Sequence, residues 1–247
     1  MPDVLFYELI SNEADRDKSF RKLPEGENPL VLLPGVSDLM RMEVRNNRPS
    51  GIPSKQAEKM RYQFNKKLAD GTLQLTPDQQ RVIDERRAEL RNDVDGLVQR
   101  VEAIATMFPG LLGGKDAERK AHKESIEETI GTDRESLMRF YASLEIPPLD
   151  GKPFPGPERL TPNWAIYRWL QVNLLVGVDL LFRYKLTLKD VMTEKLATQL
   201  ENDILDSHYV IVGALEGALA SGDRNVRRLW RLIRAKGELI PAPLASS

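Results

Sequence analysis

The sequence predicts an α/β fold, mostly helical by content, in which the two ends of the chain build a short parallel sheet and a large helical insertion separates them. Three observations predict it. Pro29 to Val36 (PLVLLPGV) is a short apolar, β-rich run followed at once by a helical pattern, and strand into helix is the unit of α/β folds. The segment Leu205 to Ala220 reads as an apolar helix returning into a brief apolar run. Between them, Leu90, Val94, Leu97, Val98, Val101 and Ile104 recur every three or four residues, the signature of a long amphipathic helix. The resulting division is 1–54 and 187–247 for the two parts of the α/β unit and 55–186 for the insertion.

Bulk properties narrow the chemistry. A chain of 247 residues with 41% hydrophobic and 30% charged residues has enough apolar material for a full core. It has no cysteine, so disulfides, thiolate metal sites and cysteine nucleophiles are excluded. With only His122 and His208, the sequence offers no zinc ligand set, and any metal would be held by oxygen ligands that suit Mg²⁺ or Mn²⁺. The net charge of -1 argues against nucleic-acid binding by total charge, although a local basic stripe could serve. Met1 to Leu5 has no positive region leading into an apolar run. The longest apolar stretch, Trp164 to Leu186, is interrupted by Arg168, Asp179 and Arg183. A cytoplasmic protein without a membrane span is expected.

In chain order, Asp3 to Ser11 is apolar enough for a buried helix or strand, and Leu30 to Leu33 reads as a buried strand. Ser37 reads as the N-cap of a helix from Asp38 to Asn46. Thr76-Pro77-Asp78-Gln79 combines an N-cap, a proline at the first helical position and a capping-box glutamine, which starts the long helix that Pro109-Gly110 ends after Met107. A second capping box, Thr132 to Glu135, opens a helix to about Leu144. Six prolines between Pro147 and Pro162 make that stretch an extended connection. Thr161-Pro162 starts the Trp164 helix, in which Asp179 needs a partner, and Arg183 one turn on is the simplest. Further helices are expected over Leu188 to Glu201 and from Asp206 to about Glu216.

The chemistry lies in Leu205 to Leu229 (LDSHYVIVGALEGALASGDRNVRRL). Asp206 opens the apolar helix, Gly217 ends it, Ala218 to Ala220 follow as a strand, and Ser221-Gly222-Asp223 comes next. A helix returning into a strand brings Asp206 and Asp223 to one sheet edge. This stretch resembles the end of PIN-domain ribonucleases, including toxin–antitoxin ribonucleases, in which an acid starts an apolar helix and a Ser/Thr-x-Asp motif follows a strand. The likeness continues through a charged helix, Asn225 to Ala235, into a last strand near Glu238 to Ile240. Upstream, Met42-Glu43-Val44 matches the place of the family's second acid. The resemblance covers about residues 1 to 50 and 200 to 247.

The resemblance implies a PIN-like three-layer α/β/α fold and a carboxylate cluster holding Mg²⁺ or Mn²⁺, which activates water against an RNA phosphodiester. Glu43, Asp206 and Asp223 would be catalytic metal ligands, Asp203 a candidate fourth, and Ser221 an orienting group. Asp3 matches the position two residues after the family's first acid, which would then fall on Met1, so the native protein is expected to start upstream with a strand ending in an acid. Taken singly, an aspartate at a helix start is an N-cap, Ser-x-Asp is a turn, and a surface glutamate is a solvated charge.

Arg224, Arg227, Arg228, Arg231 and Arg234 line one side of the helix after Asp223. From Ser221 to Ser247 six basic and two acidic residues give a local +4. The stripe could hold an RNA backbone or be a solvated helix face. His208 could serve as a general acid beside the metal or be a core histidine. The expected function is metal-dependent endoribonuclease. The alternatives are a non-catalytic interaction module, with the insertion binding an antitoxin or a second copy, and a degenerate PIN-like scaffold that binds RNA without cleaving it.

Overall fold

In the computed structural model of the protein, residues 3–11, 31–56, 58–59, 76–144, 146, 148–233 and 236–241 are described. Helix α1 (Asp3–Ser11) is followed by β1 (Val31–Leu32), α2 (Val36–Asn46) and β2 (Glu58–Lys59). The long α3 (Pro77–Met107) leads to α4 (Asp116–Thr132), α5 (Arg134–Ser143) and α6 (Ala165–Tyr184). The chain closes with α7 (Glu194–Glu216), β3 (Ala218–Ser221), α8 (Arg224–Leu232) and β4 (Glu238–Pro241).

Helix α6 is the axis of the packing. Leu170, Leu175, Val178 and Leu181 are fully buried, each contributing roughly 2 kcal/mol by leaving water. Helices α3, α4 and α7 pack around it, with α2 and α5 also against it. Gly177 permits a close approach of α3, because a Cβ there would collide with Ile104 Cδ1. The core runs without a break from Val36 to Ile233, so the expected insertion and the chain ends share one interior. Among the described residues α6 is the one helix long and apolar enough to cross a membrane, and 78% of its apolar window is buried within the protein.

The start of α6 is secured from a distance. Its N-cap, Trp164, makes no side-chain cap, and the N–H groups of Ala165 and Ile166 donate instead to Glu43 of α2, at 2.6 Å to Oε1 and 2.9 Å to Oε2. Ser50 adds its backbone N–H and its hydroxyl, each 3.0 Å from Glu43 Oε1. A carboxylate here completes orphan helix donors and sits at the favourable end of the helix dipole. The proline-rich connection before α6 is tied down by Arg134, which donates to the carbonyls of Pro157, Glu158 and Leu160, and by the Tyr141 hydroxyl on Pro155 O.

Several elements differ from the expectation, each for a local reason. Of the strand expected over Leu30 to Leu33, Val31–Leu32 form β1, and Leu30 lies outside the described residues. Strand β1 pairs antiparallel with β2, Val31 opposite Lys59, rather than in parallel beside β3. The parallel pair is β3 with β4, Ala218 opposite Glu238, joined through α8. The fold is therefore mixed α/β, mostly helical, with a short parallel pair made by the C-terminal segment alone. The two helices expected over 188–201 and 206–216 are one continuous α7. Thr193 is its N-cap, its hydroxyl accepting from Leu196 N at 3.2 Å, while 188–191 are turns. No glycine or proline interrupts 194–212, and Leu196, Leu200, Ile204 and Leu205 carry one apolar face through Asp206. The cap of α2 is Gly35, not Ser37. Helix α4 was not foreseen; its sequence is largely polar, and only isolated positions such as Ile130 reach the core.

Candidate functional site

Helix α7, β3 and the start of α8 meet at one small corner. Gly217 ends α7 in the left-handed conformation (φ 85°), and its N–H bonds to Gly213 O, so the chain turns directly into β3. The Tyr209 hydroxyl donates to Ala220 O and fastens α7 to that strand. Beyond β3, the Ser221 hydroxyl accepts from Asp223 N at 3.0 Å. Asp223 then caps α8, its Oδ1 accepting from Asn225 N at 2.7 Å and Val226 N at 2.9 Å. Ser221 thus positions the backbone of Asp223 rather than its carboxylate.

Asp206 lies in the middle of α7, not at a helix start. One turn earlier Asp203 sits on the same face, at the i, i+3 spacing that the sequence allowed for a longer helix. Burial raises the carboxyl of Asp206, and the charges of Asp223, Glu8 and Asp203 raise it further, up to about 7. Burial also raises Asp203; Arg183 and Arg228 pull it back, while Asp179 and Asp223 push the other way. The structure therefore gathers Asp203, Asp206 and Asp223 into one electrostatic neighbourhood. It adds Glu8 of α1, which the sequence reading passed over; the residue is exposed, and partial desolvation still raises its carboxyl. An acid inside the apolar run of α1 was the signal that could have found it.

Glu43 has the different task described above. Its oxygens accept from four donors, and the charges felt by Asp206 do not include it. Burial still leaves the Glu43 carboxyl raised, against the lowering pull of its Ile166, Ser50 and Ala165 donors.

An ion-pair ladder runs beside the cluster across four helices. Arg228 Nη1 lies 2.7 Å from Glu127, Glu127 lies 2.8 Å from Lys123, and Lys123 lies 3.1 Å from Asp179. Asp179 meets Arg183 at 2.8 Å, the partner its sequence position indicated, and Arg183 reaches Asp203 at 3.8 Å. This divides the arginine stripe. Arg228 is half-buried in the ladder and Arg227 is half-buried, whereas Arg224 and Arg231 are exposed; Arg234 lies outside the described residues. His208 is buried, and burial pushes its imidazole down, which favours the neutral ring of a core histidine over a general acid.

The donors of the cluster are hard carboxylate oxygens, the type Mg²⁺ and Mn²⁺ prefer, and their mutual repulsion is the field a cation would relieve. Their spacing is looser than their chemistry. Among the described residues no three acidic or histidine side chains converge closely enough to enclose a metal ion. Comparison with known proteins finds no matching family model, no matching curated protein and no matching solved structure.

Proposed function

We propose that this protein is a PIN-like, divalent-cation-dependent endoribonuclease in which Asp203, Asp206 and Asp223 are the carboxylates that a cation would draw together. The observation that carries the reading is the placement of Asp203 and Asp206 on one face of α7 beside Asp223, at the corner between α7 and the parallel β3–β4 pair, where burial and like charges push the Asp206 carboxyl up. Like charges held together at a cost to the fold are characteristic of functional sites. A bound Mg²⁺ or Mn²⁺ would supply water activation and charge neutralisation at the phosphodiester. The chain's own residues contribute the carboxylates, the Ser221 anchor for Asp223, and the exposed Arg224 and Arg231 as contacts for an RNA backbone. The three-layer PIN-like arrangement and a cytoplasmic location belong to the same proposal.

The test is cleavage of single-stranded RNA by the purified protein with Mn²⁺ or Mg²⁺. Activity should stop with EDTA and be abolished by Asp223→Asn. Unaltered cleavage by that variant would remove the site assignment. A second reading, an RNA-binding scaffold or partner-binding module without catalysis, is favoured by two observations: Glu43 is committed to capping α6, and the carboxylates are not closely gathered. RNA binding without cleavage, together with no detectable Mn²⁺ binding, would select it.

A further inference from the structure

Helices α3, α6 and α7 meet around a small, partly enclosed pocket on which the nuclease reading does not draw. Its polar lining is Asp93 and Arg100 from α3, Asn173 from α6, and Ser207 and His208 from α7; aliphatic side chains and Trp169 close the rest. Several of the polar atoms are already engaged. Arg100 Nη2 donates to Asn173 Oδ1 at 3.1 Å, Asn173 Nδ2 to Trp169 O at 2.9 Å, and the Ser207 hydroxyl to Asp203 O at 2.6 Å. Two buried atoms are not engaged: Arg100 Nε and His208 Nδ1 have no hydrogen-bond partner. Leaving such atoms dry is costly, and more so for the charged guanidinium.

The lining selects the ligand. An anion at Arg100 would face the Asp93 carboxylate, and a cation at Asp93 would face the guanidinium. A neutral molecule that both donates and accepts suits the set. The space open to the centres of water molecules is about 30 Å³. A single buried water needs ~10–15 Å³ by that measure, so about two fit.

We propose that this pocket is a permanent hydration site in which ordered waters accept from Arg100 Nε–H and bond to His208 Nδ1, bridging onward to Asp93 and the free lone pairs of Ser207 Oγ. The waters join α3 to α7 through a polar seam inside an otherwise apolar interface. Since Ser207 and His208 directly follow Asp206, the seam fixes the rotation of the helix that carries the acidic cluster. The site stands whether or not the protein cleaves RNA.

The experiment is water-selective cross-relaxation NMR on the isotopically labelled full chain, read at the Arg100 Nε–H and the His208 ring protons. Long-lived water cross-peaks at both groups are expected, and no chemical-shift change at the pocket under xenon pressure. An Arg100 Nε–H with no water cross-peak would overturn the proposal, as would xenon entering the pocket or a crystal structure with Arg100 Nε bonded directly to Asp93. None of these readouts needs a variant, so none depends on a variant folding. His208→Leu should then abolish the water signal near position 208 while the parent retains it; an unchanged signal would equally overturn the assignment.

Discussion

Glu43 and Asp206 are both acids held against the core, and their surroundings are opposite. Glu43 is fully buried, yet four donors from Ser50, Ala165 and Ile166 converge on its oxygens. Asp206 is half-buried and faces the carboxylates of Asp223, Glu8 and Asp203. Burial alone therefore does not mark a functional carboxylate, because a buried acid supplied with donors is a structural part. An acid whose neighbours bear its own sign weakens the fold, and it makes sense where a positively charged ligand is to be received.

The largest effect that could break this contrast is at Glu43. Glu43→Ala strips the cap from α6 and leaves buried N–H groups unsatisfied, a loss of about 3 kcal/mol that urea unfolding would measure. Mn²⁺ affinity should stay at the parent value in whatever fraction remains folded. If stability is unchanged and Mn²⁺ affinity collapses, Glu43 is a ligand and the contrast fails.

Asp206 should respond in the opposite direction. Burial and the neighbouring like charges push its folded carboxyl up to about 7, against roughly 3.9 in an unfolded chain. The folded state thus holds its proton more tightly, and stability falls as pH rises between those two values. Asp206→Asn removes that penalty. It should stabilise the metal-free protein by about 1–2 kcal/mol at pH 8, a figure discounted for solvent screening, with the gain shrinking toward pH 4. Thermal melts across that range would show it. A loss of stability at pH 8 would mean that Asp206 has a favourable partner after all.

How far the sequence disclosed these roles depends on the distance between each residue and what it meets. The start of α3 was legible because its signals are local: Pro77 takes the first helical position and Thr76 O accepts from Gln80 N within one turn. The β3, α8 and β4 succession was legible for the same reason: Asp223, Gly217 and the Arg224 to Trp230 periodicity are all local. Glu43 was opaque, since its donors at Ala165 and Ile166 lie more than a hundred residues away, and a helix glutamate looks the same whether it caps or faces water. Asp206 was placed at a helix start because an acid before an apolar run imitates an N-cap. The turns that precede it contribute equally to the apolar face, so α7 continues through it. The sheet was misjudged for a related reason: the apolar run at Leu30 to Leu33 specifies a strand but not its neighbour, and β1 pairs with the nearby Glu58–Lys59. The polar character of α4 hid a helix held against α6 by a few buried positions such as Ile130 and by ion pairs such as Lys123 with Glu127 and Asp179.

The arginines of α8 sharpen the contrast at a smaller scale. Arg228 is engaged with Glu127 at 2.7 Å, whereas Arg231 is exposed. Arg228→Ala should lower stability by about 1 kcal/mol, since Lys123 remains to hold Glu127. Arg231→Ala should leave stability within roughly 0.5 kcal/mol, weaken RNA binding and flatten its salt dependence. Filter binding at several salt concentrations distinguishes the two. RNA binding that depends on Arg228 and not on Arg231 would put the contact on the wrong face of α8.

The smallest stability effect is expected at Asp223, which belongs to both sides of the contrast. Its Oδ1 caps α8 through Asn225 N and Val226 N, as a structural carboxylate would. Its charge meanwhile raises Asp206. Asparagine separates the two roles, because it caps a helix about as well as aspartate and carries no charge. Asp223→Asn should therefore change unfolding free energy by less than about 0.5 kcal/mol. In the same variant the Asp206 carboxyl should titrate below 7, since one of the charges that raise it is gone. Carboxyl-detected NMR titration would follow that shift directly, alongside Mn²⁺ binding and cleavage. If the Asp206 titration does not move, Asp223 is a helix cap alone, and the cluster loses the member that links it to β3. If it moves down while Mn²⁺ binding is lost and the melt is unchanged, the charge of Asp223 serves the site and its hydrogen bonds serve the fold.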